Sequence, residues 1–223
     1  MVSFSKVEIK DLSIAIVVIT LLFAYLFSAG GSVGGLIILI PLSFITVGIS
    51  FILHELAHKF TAQKYGFFAE FRKWNMGLVI AVISSLFGFV FLAPGAVYIT
   101  SYMREITDKE NGIISLAGPV VNIILAGIFY VISVAINPIA QTSIWLMYLA
   151  LICSIGFNVN SFLAFFNLLP IPPFDGSKVF KWNKIIWIIA IGVSVILMLN
   201  RFYITLNKFF TFFLLLFLRS ILI

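Results

Sequence analysis

The chain has 223 residues, of which 62% are hydrophobic and only 10% charged. A soluble domain of this length has no use for so much apolar surface, so the composition excludes one and selects a polytopic membrane protein. The 14 Lys and Arg exceed the 8 acids, for a net charge of +6, but they are spread too thinly for nucleic acid and read as loop charge on one side of a bilayer.

Residues 1–11 are mixed and polar, with Lys6 and Lys10. Leu12 to Ser28 is long enough for a first span, and further apolar runs follow at once, so it reads as a permanent helix and not a cleaved signal. After the glycine-rich stretch Gly30 to Gly35, a second span runs to about Tyr65, with Pro41 expected at its helical start. Leu36 to Leu53 carries no charge, and the run ends in His54-Glu55-Leu56-Ala57-His58, which holds both histidines of the chain. On a helix, residues i and i+4 share a face, so the two imidazoles converge on a point that suits a divalent metal. Glu55 sits one position round the helix, within reach of a water at such an ion. The bland alternative, a polar helix end that snorkels and binds nothing, would leave Glu55 an uncompensated charge at membrane depth. Counted from Pro41 at about 1.5 Å per residue, His54 lies roughly 20 Å along the helix. That depth is near the side where Lys59, Lys64, Arg72 and Lys73 emerge, which the positive-inside tendency makes cytoplasmic.

Met76 to Ala93 is apolar, but Ser84, Ser85 and Gly88 interrupt it, and basic residues flank both ends. A single crossing would put Arg72 and Lys73 opposite Arg104 and Lys109, so the pattern favours a re-entrant or β-hairpin segment over an extra helix. Ile113 to Ile136 is the next span, with Gly118, Asn122 and Ala126 recurring every four residues as a small-residue stripe. Packing explains that stripe; a polar Asn122 turned towards the histidines is the sharper reading. Asn137-Pro138 breaks the chain, Ile144 to Phe166 spans again, and Ile185 to Leu199 and Tyr203 to Ile223 are the last apolar stretches. Trp74, Trp145, Trp182 and Trp187 fall near span ends as interfacial anchors, and Cys153 is a packing residue. The expected fold is an all-α polytopic membrane protein of about six helices, a single domain over 1–223. Its core is about 36–180, and 12–28, 185–199 and 203–223 are peripheral helices.

Two histidines do not complete a catalytic zinc site, which takes three protein ligands, and with Cys153 mid-span the third must be a carboxylate. Asp175 ends the otherwise uncharged, proline-broken segment Asn167 to Gly176; the other acids, Glu55 apart, lie in polar segments among other charges. A carboxylate in such a setting needs a partner, and a metal supplies one.

His-Glu-Leu-Ala-His, Gly118-Pro-Val-Val-Asn122 and Asn167-Leu-Leu-Pro-Ile-Pro-Pro-Phe-Asp-Gly176 follow one another in that order. In this the chain resembles the site-2 protease family of intramembrane zinc metalloproteases, over about residues 36–180. The resemblance implies one zinc ion held by His54, His58 and Asp175, Glu55 as the catalytic base, and Asn167 beside the scissile carbonyl. The prolines 170–173 form a fixed open loop or a plain helix terminator, so Pro170 and Pro172, with Gly118 and Asn122, are candidates for substrate binding or core packing. The expected substrates are transmembrane proteins within the lipid bilayer, cut within or near their spans, with no nucleic acid involved. The expected location is a prokaryotic cell membrane, with the active site towards the cytoplasm. Zinc proteases that process prenylated carboxy-termini take a later glutamate as third ligand, and no Glu follows Glu110. The non-enzyme alternative, a membrane metal-binding or metal-transport protein, would need polar ligands in more than one layer.

Overall fold

A computed structural model describes residues 4–28, 33–88, 90, 94–102 and 104–200. Four helical stretches among them are long and apolar enough to cross a membrane: Lys6–Ser28, Leu36–Lys64, Asp108–Thr142 and Ile144–Asn167. A shorter apolar helix, Lys184–Asn200, covers the expected fifth stretch, and the sixth, 203–223, lies outside the described residues.

The first span begins earlier than its apolar composition suggests. α1 is Lys6–Ser28, and its polar first turns are folded in. Glu8 is fully buried; its carboxylate accepts from Lys59 Nζ at 2.5 Å and from the Phe71 amide at 3.0 Å. Lys59, expected to emerge at the surface, is therefore inside. Pairing and hydrogen bonding are what allow the two charges to leave water.

α2 (Val33–Ser43) runs through a π turn at Phe44–Gly48 into α3 (Ile49–Lys64). Pro41 is inside the helix and not at its start. Proline removes one ladder donor and crowds the preceding turn, and a widened π turn is a common way for a helix to absorb such a disturbance. Here two hydroxyls back-bond to the carbonyls of this region, Thr46 to Leu42 at 2.8 Å and Ser50 to Thr46 at 2.7 Å.

The middle of the chain is a two-stranded sheet with a helix inserted. β1 (Phe68–Lys73) pairs antiparallel with β2 (Gly95–Thr100) from Phe68↔Thr100 to Lys73↔Gly95. Between them α4 (Asn75–Ser85) is only 11 residues long. The Trp74 amide donates to the Pro94 carbonyl at 2.8 Å, so the apolar stretch leaves and returns at the same place. A single crossing is excluded, and the hairpin expectation holds for the paired flanks.

α5 (Asp108–Ile136) opens with a capping box between Thr107 and Glu110, which satisfies orphan donors of its first turn. A 3₁₀ turn, Asn137–Thr142, returns the chain into α6 (Ile144–Asn167). α7 (Asp175–Trp182) then folds back on the start of α5, where Lys181 pairs with Asp108 at 2.8 Å. The apolar core joins α1, α3, β1 and α6 through Ile19, Val47, Phe51, Phe71 and Leu163, with the Phe51 and Phe71 rings edge to face. It lies directly beneath the histidine-bearing stretch of α3.

Candidate metal centre

α3 presents His54 and His58 on one face, both buried, with their Nε2 atoms 3.0 Å apart. α7 delivers the third group: Asp175 Oδ2 lies 3.1 Å from His58 Nε2 and 3.5 Å from His54 Nε2. These residues form the one cluster among the described residues able to hold a metal ion. Zinc with nitrogen and oxygen ligands at about 2.0–2.1 Å in a tetrahedron spaces them by about 3.3 Å. The observed triangle brackets that value.

The other ring nitrogens are also engaged. His58 Nδ1 lies 2.7 Å from the Ile114 carbonyl, and His54 Nδ1 lies 2.6 Å from Asn122 Oδ1. A carbonyl only accepts, so His58 carries its proton on Nδ1 and turns a free Nε2 lone pair inward. Two imidazole nitrogens and a carboxylate oxygen are a zinc-type donor set. Gly118 supplies the room, since a Cβ there would lie 2.4 Å from His58 Nε2 and 2.6 Å from His54 Nε2.

Glu55 is buried beside them, and its Oε2 has no hydrogen-bond partner in the structure. Such an orphaned acceptor is costly unless something outside the chain fills it. The cavity that Glu55 faces measures about 410 Å³ and is shared by His54, His58, Asn167, Asp175 and Lys178. Along one wall run five consecutive residues of β2, Gly95 to Ile99. Alternating side chains of one sheet face could not give five in a row, so the wall is the strand's edge.

Asn167, the last residue of α6, lines this cavity while its Nδ2 donates to the Leu163 carbonyl at 2.9 Å. Of the four residues left between binding and packing, Gly118 and Asn122 touch the histidines. Pro170 and Pro172 are exposed and outside the cavity lining, where Pro173 and Phe174 stand instead. Sequence reasoning missed Lys178, the one Lys or Arg on the cavity wall, whose Nζ is 3.8 Å from Asp175 Oδ1. Its i,i+3 spacing from Asp175 was the available signal. Asn160, fully buried in α6, was also missed. A polar side chain inside an apolar span was the clue there.

The sequence profile of Peptidase family M50 matches residues 42–144, a stretch that holds both histidines, Glu55, Gly118 and Asn122 and stops short of Asp175. A protein of Methanocaldococcus jannaschii, named as a candidate zinc metalloprotease, is 46% identical over 195 residues, 86% of this chain and 93% of that protein. A Bacillus subtilis protein named in the same way is 28% identical over 155 residues, 64% of this chain and 69% of its own length. A third, from Mycolicibacterium smegmatis, is 31% identical over 158 residues, 61% of this chain and 58% of its own. No solved structure matches the chain. Identity of 46% across nearly all of both sequences, on top of the profile match, settles the kinship: the chain belongs to peptidase family M50, the site-2 protease family.

Proposed function

We propose that this chain, a zinc metalloprotease by its family, cuts peptide bonds within or beside transmembrane segments of membrane-protein substrates. In this reading His54, His58 and Asp175 hold one zinc ion, Glu55 is the general base, and residues 36–180 form the catalytic core of a single domain. One observation carries it: two imidazoles from a helix long enough to span a bilayer converge at 3.0–3.5 Å with a carboxylate from a distant helix, beside a buried glutamate whose Oε2 has no hydrogen-bond partner.

When bound, zinc supplies Lewis-acid chemistry, acidifying water and polarising a carbonyl oxygen. Glu55 Oε2, held without a protein partner, accepts the proton of the attacking water and hands it to the departing amide nitrogen. Asn167 has one amide hydrogen committed to Leu163 and a second left for the oxyanion that develops on the scissile carbonyl. A transmembrane helix hides its peptide bonds in its own ladder and must unwind to be cut. The edge of β2 along the cavity offers the unwound stretch a strand partner.

The test is cleavage of a single-span model protein by purified enzyme in detergent, with and without chelator. Glu55→Gln should keep one zinc per chain by elemental analysis and lose at least about 100-fold in rate, as loss of a general base does. Cleavage by Glu55→Gln at the wild-type rate, or by zinc-stripped protein, would refute the reading.

A further inference from the structure

A buried chain of hydrogen bonds leads away from the metal centre into the membrane-spanning core. From His54 it passes to Asn122, then from Asn122 Nδ2 to Asn160 Oδ1 at 2.9 Å. Asn160 Nδ2 in turn donates to Ser50 Oγ and to the Gly156 carbonyl, each at 2.8 Å. Ser50 Oγ donates to the carbonyl of Thr46, within the π turn of the histidine helix. Asn122, Asn160 and Ser50 are all at most 1% exposed, so no water competes for these groups.

The direction of this chain follows from its far end. The Gly156 carbonyl can only accept, so Asn160 must turn its nitrogen towards it and its oxygen towards Asn122. Asn122 must then meet that oxygen with its own nitrogen, which leaves its oxygen facing His54 Nδ1. An oxygen that only accepts requires the proton of His54 to be on Nδ1, and Nε2 is left with its lone pair towards Asp175 and His58. Reversing either amide would set donor against donor or acceptor against acceptor in a dry site.

We propose that Asn160 is a positioning residue for the metal centre: acting through Asn122, it fixes His54 in the tautomer whose Nε2 is free for the ion. His58 gets the same service directly from a backbone carbonyl of α5, whereas His54 obtains it through two side-chain amides, one on α5 and one on α6. The proposal rests on His54 being a zinc ligand, and its test is chosen to fail separately from that reading.

Two quantities are measured on purified protein in detergent: the ¹⁵N signals of the histidine rings in metal-free protein, and the zinc dissociation constant by chelator competition. Wild type should show His54 protonated at Nδ1. Asn160→Leu and Asn160→Ala remove the relay with and without added bulk, so one misfolded variant does not decide the matter. Each should give a mixture of His54 tautomers and bind zinc about tenfold more weakly or worse, the usual cost of losing an outer partner of a ligand. Ser161→Ala is the control. Its buried hydroxyl donates to the Phe157 carbonyl of its own helix, and both readouts should stay at wild type. Folded Asn160 variants with a wild-type tautomer and wild-type zinc affinity would overturn the proposal. Wild-type protein that bound no zinc would instead sink the metal site itself.

Discussion

Gly118 decides whether the imidazoles of α3 can lie against α5 at all. A Cβ there would stand within 2.6 Å of both Nε2 atoms, closer than non-bonded atoms come. The rings have little room to retreat, because His58 is held to the Ile114 carbonyl and His54 to Asn122 through their other nitrogens. A methyl group would therefore occupy the point of convergence or push the rings off it. Gly118→Ala should fold with unchanged helical circular dichroism, since alanine favours a helix more than glycine does. Its zinc content by elemental analysis should drop by about tenfold or more, a loss of the size that disturbed ligand support produces. Full zinc occupancy would show that the glycine serves only helix packing. That packing role was the safe reading of the stripe from sequence. The three side chains that converge were legible: His54 and His58 share a face by local spacing, and Asp175 stood out as a charge in uncharged surroundings. Which Gly118 neighbour lay across the helix interface was a tertiary fact and could not be read.

At the scale of elements, the docking of α1 is what hydropathy hid. Glu8 and Asp11 lie in a segment that looks solvated, yet both are buried, and the partner of Glu8 on α3 is 51 positions away. Periodicity and apolar length mark where a helix crosses, but an ion pair closed over such a separation leaves no local trace. The same limit hid Asn160, 38 positions from Asn122. The π turn left only Pro41 as a hint, and the re-entrant or hairpin segment expected at Met76 to Ala93 begins as helix α4, with the paired strands on its flanks at Phe68–Lys73 and Gly95–Thr100. Glu8 carries the testable consequence. Glu8→Ala would leave a buried ammonium without its carboxylate and strip the Phe71 amide of its acceptor, a combination worth about 3–5 kcal/mol by analogy with other broken buried pairs. Thermal unfolding in detergent should shift down by several degrees. The double variant Glu8→Leu/Lys59→Met, which replaces the pair by apolar bulk, should recover most of the loss. If the single variant unfolds like wild type, the latch contributes nothing to holding α1 on α3 and β1.

For the whole molecule, the arrangement of charge predicts an orientation that can be measured. The beginning of α1, the end of α3, the sheet, the start of α5 and α7 are tied together by Glu8 with Lys59, Glu8 with the Phe71 amide, His58 with the Ile114 carbonyl, and Asp108 with Lys181. Every Lys and Arg of the described residues falls in or beside these segments, and the 3₁₀ turn Asn137–Thr142 at the other end of α5 has none. The stretch Asp108–Thr142 has 35 residues, about 50 Å at 1.5 Å each, which exceeds a hydrocarbon core of about 30 Å. Arg104 and Thr142 should then emerge on opposite faces, and the positive-inside tendency predicts that the Arg104 face is cytoplasmic. On that prediction the histidines lie in the cytoplasmic half, because His58 and His54 are only about 9–15 Å along α3 from its Lys64 end. Single cysteines placed by Arg104→Cys and Thr142→Cys in a Cys153→Ala background give the measurement. In intact cells a membrane-impermeant maleimide should label the cysteine at 142 and reach the one at 104 only after permeabilisation. The inverse pattern would turn the protease round, placing His54, His58 and Asp175 in the outer half of the membrane.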